Sequence, residues 1–241
     1  MSAPPVTYHL EIASDPDQLA RRCCEHLASR IDLALDQRDR AQIALSGGST
    51  PAACYQKLNG QHLPWSRVDV VLGDERWVPA SHHDSNARML ANTLLAPGGA
   101  GAEACFHPVP TDLHSPGASA TAFSELLGQL CLGQPPIFDL MLLGLGDDGH
   151  TASLFPGTPA CLEQNHWVTV GTGKGLERIT LTAPVLSAAR QVIVLVSGAG
   201  KRQALQRLLD PLESAERTPA KLVQPRTPVL VLADGPAAEG L

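Results

Sequence analysis

The stretch DLMLLGLGDDGHTASLFP, residues 139–156, changes character halfway along. An apolar run stops at Gly144 and gives way to glycines, the adjacent Asp147 and Asp148, and His150. Near neutral pH an imidazole can take a proton from water or from a substrate hydroxyl. A carboxylate beside it can hold one tautomer, and both Asp148 and Asp147 are candidates. A plainer reading competes, in which an Asp-Gly turn caps a short helix and the histidine is structural. Gly144, Gly146 and Gly149 also spell G-x-G-x-x-G, a dinucleotide-binding pattern. That reading fails on three counts: the aspartates put negative charge where a pyrophosphate must lie, Pro156 cuts short the helix that should follow, and the match falls in the second half of the chain.

Three other loops carry groups that such a site needs. LSGGSTP (45–51) offers Gly47 and Gly48 for close backbone approach and hydroxyls on Ser49 and Thr50, with Pro51 at a first helical position. Free amides at a helix N-terminus favour a phosphate. No Gly-Lys-Ser/Thr follows, so this is no Walker A loop, and an ordinary capped turn has the same composition. GDERWVPASHHDSNARML (73–90) sets Asp74, Glu75 and Arg76 just past an apolar run. Carboxylates beside an arginine suit substrate hydroxyls and an anion, although a solvated charge cluster looks the same. His82 and His83 read as loop surface, with no third metal ligand at a recognisable spacing. VSGAGKRQAL (196–205) puts Lys201 where a helix begins, against the helix dipole; a bound phosphate removes that conflict. A solvent-facing lysine is the plainer alternative. Arg178, opening RITLT, is a further cation. Cys23, Cys24 and Trp65 read as packing.

The elements that must position these loops alternate in type. Strands are expected at 6–13, 41–46, 67–74, 138–144, 167–171, 178–182, 191–198 and 227–234. Helices are expected at 15–38, with Asp15 as cap and Pro16 following, at 50–60 and 85–99 with glycine stops, at 118–132 and at 201–210. Several strands are apolar throughout, as in a sheet covered on both faces. The expected fold is α/β: a mostly parallel, Rossmann-like sheet with helices on both faces and a few extra strands in the C-terminal half. Without repeats or a composition shift, residues 1–241 read as one domain, with polar strand ends feeding a site at the carboxyl edge.

Composition narrows the function. The 241 residues are 44% hydrophobic and 17% charged, which suits a substantial core. A net charge of -6 argues against a nonspecific nucleic-acid binder, while an anionic small substrate needs only a few local cations. The six cysteines form no C-x-x-C pair and read as reduced thiols. Residues 1–13 show no signal-peptide pattern, and no run approaches the roughly 18 apolar residues of a membrane span. A cytoplasmic protein is expected.

In order along the chain stand LSGGSTP, GDERWVP, SNARML, FDLMLLGLGDDGHTASLFPGT, RITLT, SGAGKRQAL and PAKLVQP. This succession, from about Leu45 to Asp234, resembles the 6-phosphogluconolactonases of the glucosamine-6-phosphate isomerase/6-phosphogluconolactonase family. The segment from Asp148 to Pro156 is the part specific to the lactonases. The deaminases of the family carry a glutamate where this chain has Phe155 and a tyrosine where it has Arg76, which favours hydrolysis over ring-opening isomerisation. The resemblance implies hydrolysis of a phosphosugar lactone by water that His150 activates, with Asp148 or Asp147 holding the imidazole and Asp74 positioning hydroxyls. It implies a 6-phosphate held by Gly47, Gly48, Ser49 and Thr50 with Lys201, Arg76 and Arg178. It implies no metal, no organic cofactor, and no nucleic-acid or membrane partner, in a monomer or small homo-oligomer. A deaminase-like enzyme and a non-catalytic phosphosugar-binding protein are the alternatives.

Overall fold

The computed structural model describes residues 6–241. Of the N-terminal stretch read for a targeting signal, residues 1–5 lie outside the described residues. Seven strands form a parallel sheet: β1 (Tyr8–Ala13), β2 (Ala41–Leu45), β3 (Val68–Leu72), β5 (Cys105–Phe106), β6 (Leu140–Gly144), β9 (Val192–Val196) and β10 (Val229–Asp234). Their spatial order is β1-β10-β9-β6-β2-β3-β5. Every pairing in it is parallel. The strands β3 and β9 are buried at every position; β9 is apolar throughout, and β3 is apolar except for Asp69. Apart from β1, which lies at the far edge beside β10, successive strands run outward in both directions from the β2–β6 contact, so the loops after those two strands flank a switch point, where open α/β sheets bind ligands.

Among the described residues seven α-helices accompany this sheet: α1 (Pro16–Gln37), α2 (Ser49–Leu58), α3 (Asn86–Ala91), α4 (Pro116–Leu130), α5 (Ala183–Ala188), α6 (Arg202–Leu209) and α7 (Gly235–Ala238). Asp15 caps α1 by accepting from the Gln18 amide, and Pro16 occupies the first turn, as the sequence predicts. Leu19, Cys23, Leu27, Ile31 and Leu35 recur at helical spacing and pack into the core. Cys23, Cys24 and Trp65 are buried, in line with the packing role expected of them.

Three expectations need correction. The run 67–74 is not one strand: β3 ends at Leu72, and Asp74–Arg76 form a separate strand, β4. With β7 (Val168–Gly173) and β8 (Leu176–Leu181), β4 makes a small antiparallel sheet in the order β4-β8-β7. The helix expected at 85–99 spans only Asn86–Ala91. Its last turn opens where the Thr93 hydroxyl donates to the Met89 carbonyl, and Pro97 bars any continuation. The helix expected at 50–60 begins at Ser49 and has Asn59, in right-handed helical geometry, as its C-cap rather than a glycine stop. Among the described residues no helix is long and apolar enough to cross a membrane.

Candidate active site

A cavity of about 240 Å³ opens at the carboxyl edge of the parallel sheet, over the β2–β6 switch point. The loops after β2, β3, β6 and β9 all reach it.

The loop after β2 contributes Gly47, Gly48, Ser49 and Thr50. Gly48 lies at φ +113°, a conformation that side-chain-bearing residues avoid, and this turns the chain into α2. No side chain caps the start of α2, so its first-turn amides remain available to a ligand. Gly47 packs so closely on Asn86 that a Cβ would collide with it. The Asn86 amide in turn donates to the Asp74 carbonyl at 2.9 Å.

Strand β4, which follows β3 through Gly73, contributes Asp74 and Arg76. In the small antiparallel sheet Arg76 stands directly opposite Arg178, and Asp74 opposite Thr180, so all four share one face. Two like charges in direct opposition are destabilising unless an anion joins them. Arg178 is 5% exposed, lies 3.6 Å from Asp74 and stacks over Phe155 at 5.3 Å. Burial draws its pKa down, with Asp74 opposing that shift. Arg178 is the third residue of β8 rather than its opening residue. Asp74 also accepts from the Ser153 hydroxyl at 2.6 Å. Glu75, expected beside Asp74 as a partner for substrate hydroxyls, faces away. It accepts from the amides of Arg76, Asn86 and Ala87 and from the Ser85 hydroxyl, fixing the start of α3. Burial raises its pKa despite those bonds.

The loop after β6 carries His150 into the cavity. Its Nδ1 lies 2.5 Å from the Asp148 carboxylate, and its backbone N–H donates to the same oxygen at 3.0 Å. A carboxylate at Nδ1 makes that nitrogen the donor and leaves Nε2 as a free base. Burial pulls the imidazole pKa below its usual value, with Asp148 opposing, which favours the neutral ring. Burial raises the Asp148 pKa, but the hydrogen bonds from His150 outweigh this and leave it lowered. A Cβ at Gly146 would strike both partners, so glycine makes room for the pair. Phe155 lies against the imidazole at a centroid distance of 4.1 Å. Asp147, the other aspartate expected near His150, is exposed and outside the cavity, and its carbonyl accepts from Arg207 at 3.1 Å.

The loop after β9 contributes Ser197 and Lys201, which ends a short 3-10 turn at Ala199–Lys201 running into α6. The candidate residues thus converge on one cavity, except that Asp148 stands behind His150, in contact with its ring, and Asp147 is absent. The sequence reading missed the cavity-lining Ser46, Asn86, Lys174 and Ser197. Asn86 lies inside the quoted SNARML, but its role needs the fold. Lys174 sits at φ +54° on the tip of the β7–β8 hairpin, where its sequence resembles an ordinary turn. At the surface, His82, His83 and Asp84 bring three ligand-type atoms within 4.8 Å, so Asp84 supplies a third partner that the spacing did not suggest. His83 is exposed, and the trio does not line the cavity, although the cavity residue Arg76 donates to the Asp84 carbonyl.

The profile of a family described as glucosamine-6-phosphate isomerases/6-phosphogluconolactonase matches residues 14–232. A 6-phosphogluconolactonase of Synechocystis sp. is 42% identical over 230 residues, covering 92% of this chain and 94% of the relative. The crystal structure of a 6-phosphogluconolactonase from Shewanella baltica superposes with a TM-score of 0.86 at 29% identity, covering 95% of this chain and 98% of that one. The 6-phosphogluconolactonase structure from Trypanosoma brucei gives 0.85 at 30% identity, covering 98% and 99%.

Proposed function

The chain belongs to the glucosamine-6-phosphate isomerase/6-phosphogluconolactonase family, and from that premise we propose that it hydrolyses 6-phospho-D-glucono-1,5-lactone to 6-phospho-D-gluconate, a step of the oxidative pentose phosphate pathway. One observation carries this reading: the His150 imidazole, with Asp148 at its Nδ1, shares a sugar-sized cavity with an uncapped helix N-terminus and a lysine.

The 6-phosphate rests on the Gly47–Thr50 amides and hydroxyls, with Lys201, Arg76 and Arg178 supplying positive charge. Anchoring at that end turns the lactone carbonyl toward His150. Nε2 takes a proton from water as its oxygen bonds to C1, and the carbonyl becomes a tetrahedral oxyanion. Collapse re-forms the carbonyl and breaks the bond from C1 to the ring oxygen. The imidazolium returns its proton to that oxygen, leaving a C5 hydroxyl and a carboxyl group that ionises. Asp148 steadies the imidazolium without taking its proton. Asp74, held by Ser153 and Arg178, faces the sugar hydroxyls. The apolar Phe155 against the imidazole supports hydrolysis over deamination, which must move protons between sugar carbons. The reading includes a cytoplasmic location, supported by six free thiols.

The test is acid release from freshly made 6-phosphogluconolactone, measured against its spontaneous opening. Enzyme-dependent acid release is the expected result. Ammonia release from glucosamine 6-phosphate in its place would overturn the assignment.

A further inference from the structure

Ser46 is 5% exposed and lines the active-site cavity, yet its hydroxyl has no hydrogen-bond partner. Its backbone carbonyl accepts from the buried Tyr55 hydroxyl at 2.9 Å. The preceding carbonyl, of Leu45, accepts from the Gly73 amide at 2.9 Å. The two carbonyls are thus engaged, and the side-chain hydroxyl is the group left free. A hydroxyl that has left water and found no partner destabilises the unliganded protein, so one kept at a cavity wall points to a ligand. Arg76 presents a second such group in the same site, a buried Nε without a partner.

The position of Ser46 says which part of a ligand it meets. It follows β2, whose neighbours are β3 and β6. On one side begins the Gly47–Thr50 loop, and on the others stand Asp74 after β3 and the Gly144–His150 turn after β6. Ser46 thus lies between the phosphate cradle and the imidazole. A phosphosugar lactone spanning those ends presents secondary ring hydroxyls there. A serine hydroxyl both donates and accepts, which matches a sugar hydroxyl, whereas the phosphate already has amides and cations.

We propose that Ser46 is a specificity residue that hydrogen-bonds a ring hydroxyl of the substrate. This rests on the lactonase reading for the identity of the sugar. The test is Ser46→Ala, assayed with 6-phosphogluconolactone and with unphosphorylated glucono-1,5-lactone, alongside a melting curve. The expected result is a loss in kcat/KM of about tenfold on both lactones, with a melting temperature unchanged or raised because an unsatisfied group has gone. A loss confined to the phosphorylated lactone overturns the proposal by placing the hydroxyl on the phosphate. Unchanged efficiency, or a loss accompanied by a lowered melting temperature, overturns it too. If the wild-type protein turns over neither lactone, the lactonase reading fails separately. Calorimetry with 6-phosphogluconate then decides Ser46: binding weakened about tenfold in the variant upholds the contact, and equal binding overturns it.

Discussion

Burial lowers the His150 pKa, and Asp148 lies close enough to orient the ring. Two predictions belong to these side chains and to Lys201. Asp148→Ala removes the acceptor at Nδ1 and the charge that supports the imidazolium. The kcat for 6-phosphogluconolactone should fall by on the order of 10²-fold with little change in KM. The wild-type rate should rise with pH through a value below the usual histidine pKa and be flat at pH 7. In the variant that limb should move lower still, because Asp148 is what raises the His150 pKa against burial. A variant limb at higher pH would contradict this. Lys201→Ala should instead raise KM for the phosphorylated lactone by about 10- to 100-fold and leave unphosphorylated lactone unaffected. The types of these residues were legible in the sequence; the choice between the aspartates was not. Asp148 and Asp147 are neighbours of one type, and only the turn that Gly146 makes possible sends one to the ring and the other to solvent.

The elements decide where the charges point. The β2, β6 and β9 loops follow apolar strands that the sequence announces, which is why three of the four site loops were readable in advance. The fourth was only half readable. Asp74 to Arg76 leave the parallel sheet to pair with β8, and this non-local pairing sets Arg76 beside Arg178. No local propensity encodes that contact, since residues 74 and 180 meet only in the folded chain. At the β9 turn, Asp234 is fully buried and accepts from the Ser197 hydroxyl at 2.5 Å, the Gly198 amide at 3.0 Å and the Ala237 amide at 2.9 Å. One carboxylate thus ties the end of β10 to the turn that presents Lys201. Asp234→Ala should raise KM for the phosphorylated lactone by about tenfold with kcat nearly unchanged, and Asp234→Asn, which keeps an acceptor for the amides, should recover most of the loss. Equal damage to both lactones would mean that the residue supports the fold at large and not this turn.

Across the whole molecule, chemistry and stability occupy opposite edges of one sheet. At the amino edge Asp69, the second residue of β3, pairs with Arg40 at 2.7 Å and with His107 at 2.9 Å. Asp139, just before β6, pairs with Arg38 at 2.8 Å and Arg190 at 3.2 Å and accepts from the Gln42 amide. Both carboxylates are buried, so removing one strands its cationic partners. Because Arg40 is partly in solvent, the cost of Asp69→Ala should be about 2–3 kcal/mol rather than the full value of a buried pair. For a chain of this length that is a melting temperature lowered by roughly 5–10 °C. The kcat/KM should stay within about twofold, because no cavity residue touches this cluster. The sign with pH follows from the Asp69 carboxyl. Burial raises its pKa, but the bonds from Arg40 and His107 prevail and leave it lowered. The unfolded chain therefore binds the proton more readily, and the contribution is present above the ordinary aspartate range of about pH 4 and lost as pH falls through the folded value. Melting curves of wild type and Asp69→Ala should lie furthest apart near neutrality and converge in acid. A gap that widens in acid, or a variant as stable as wild type but slow in catalysis, would show that the amino edge is not the separate stabilising pole that these contacts describe.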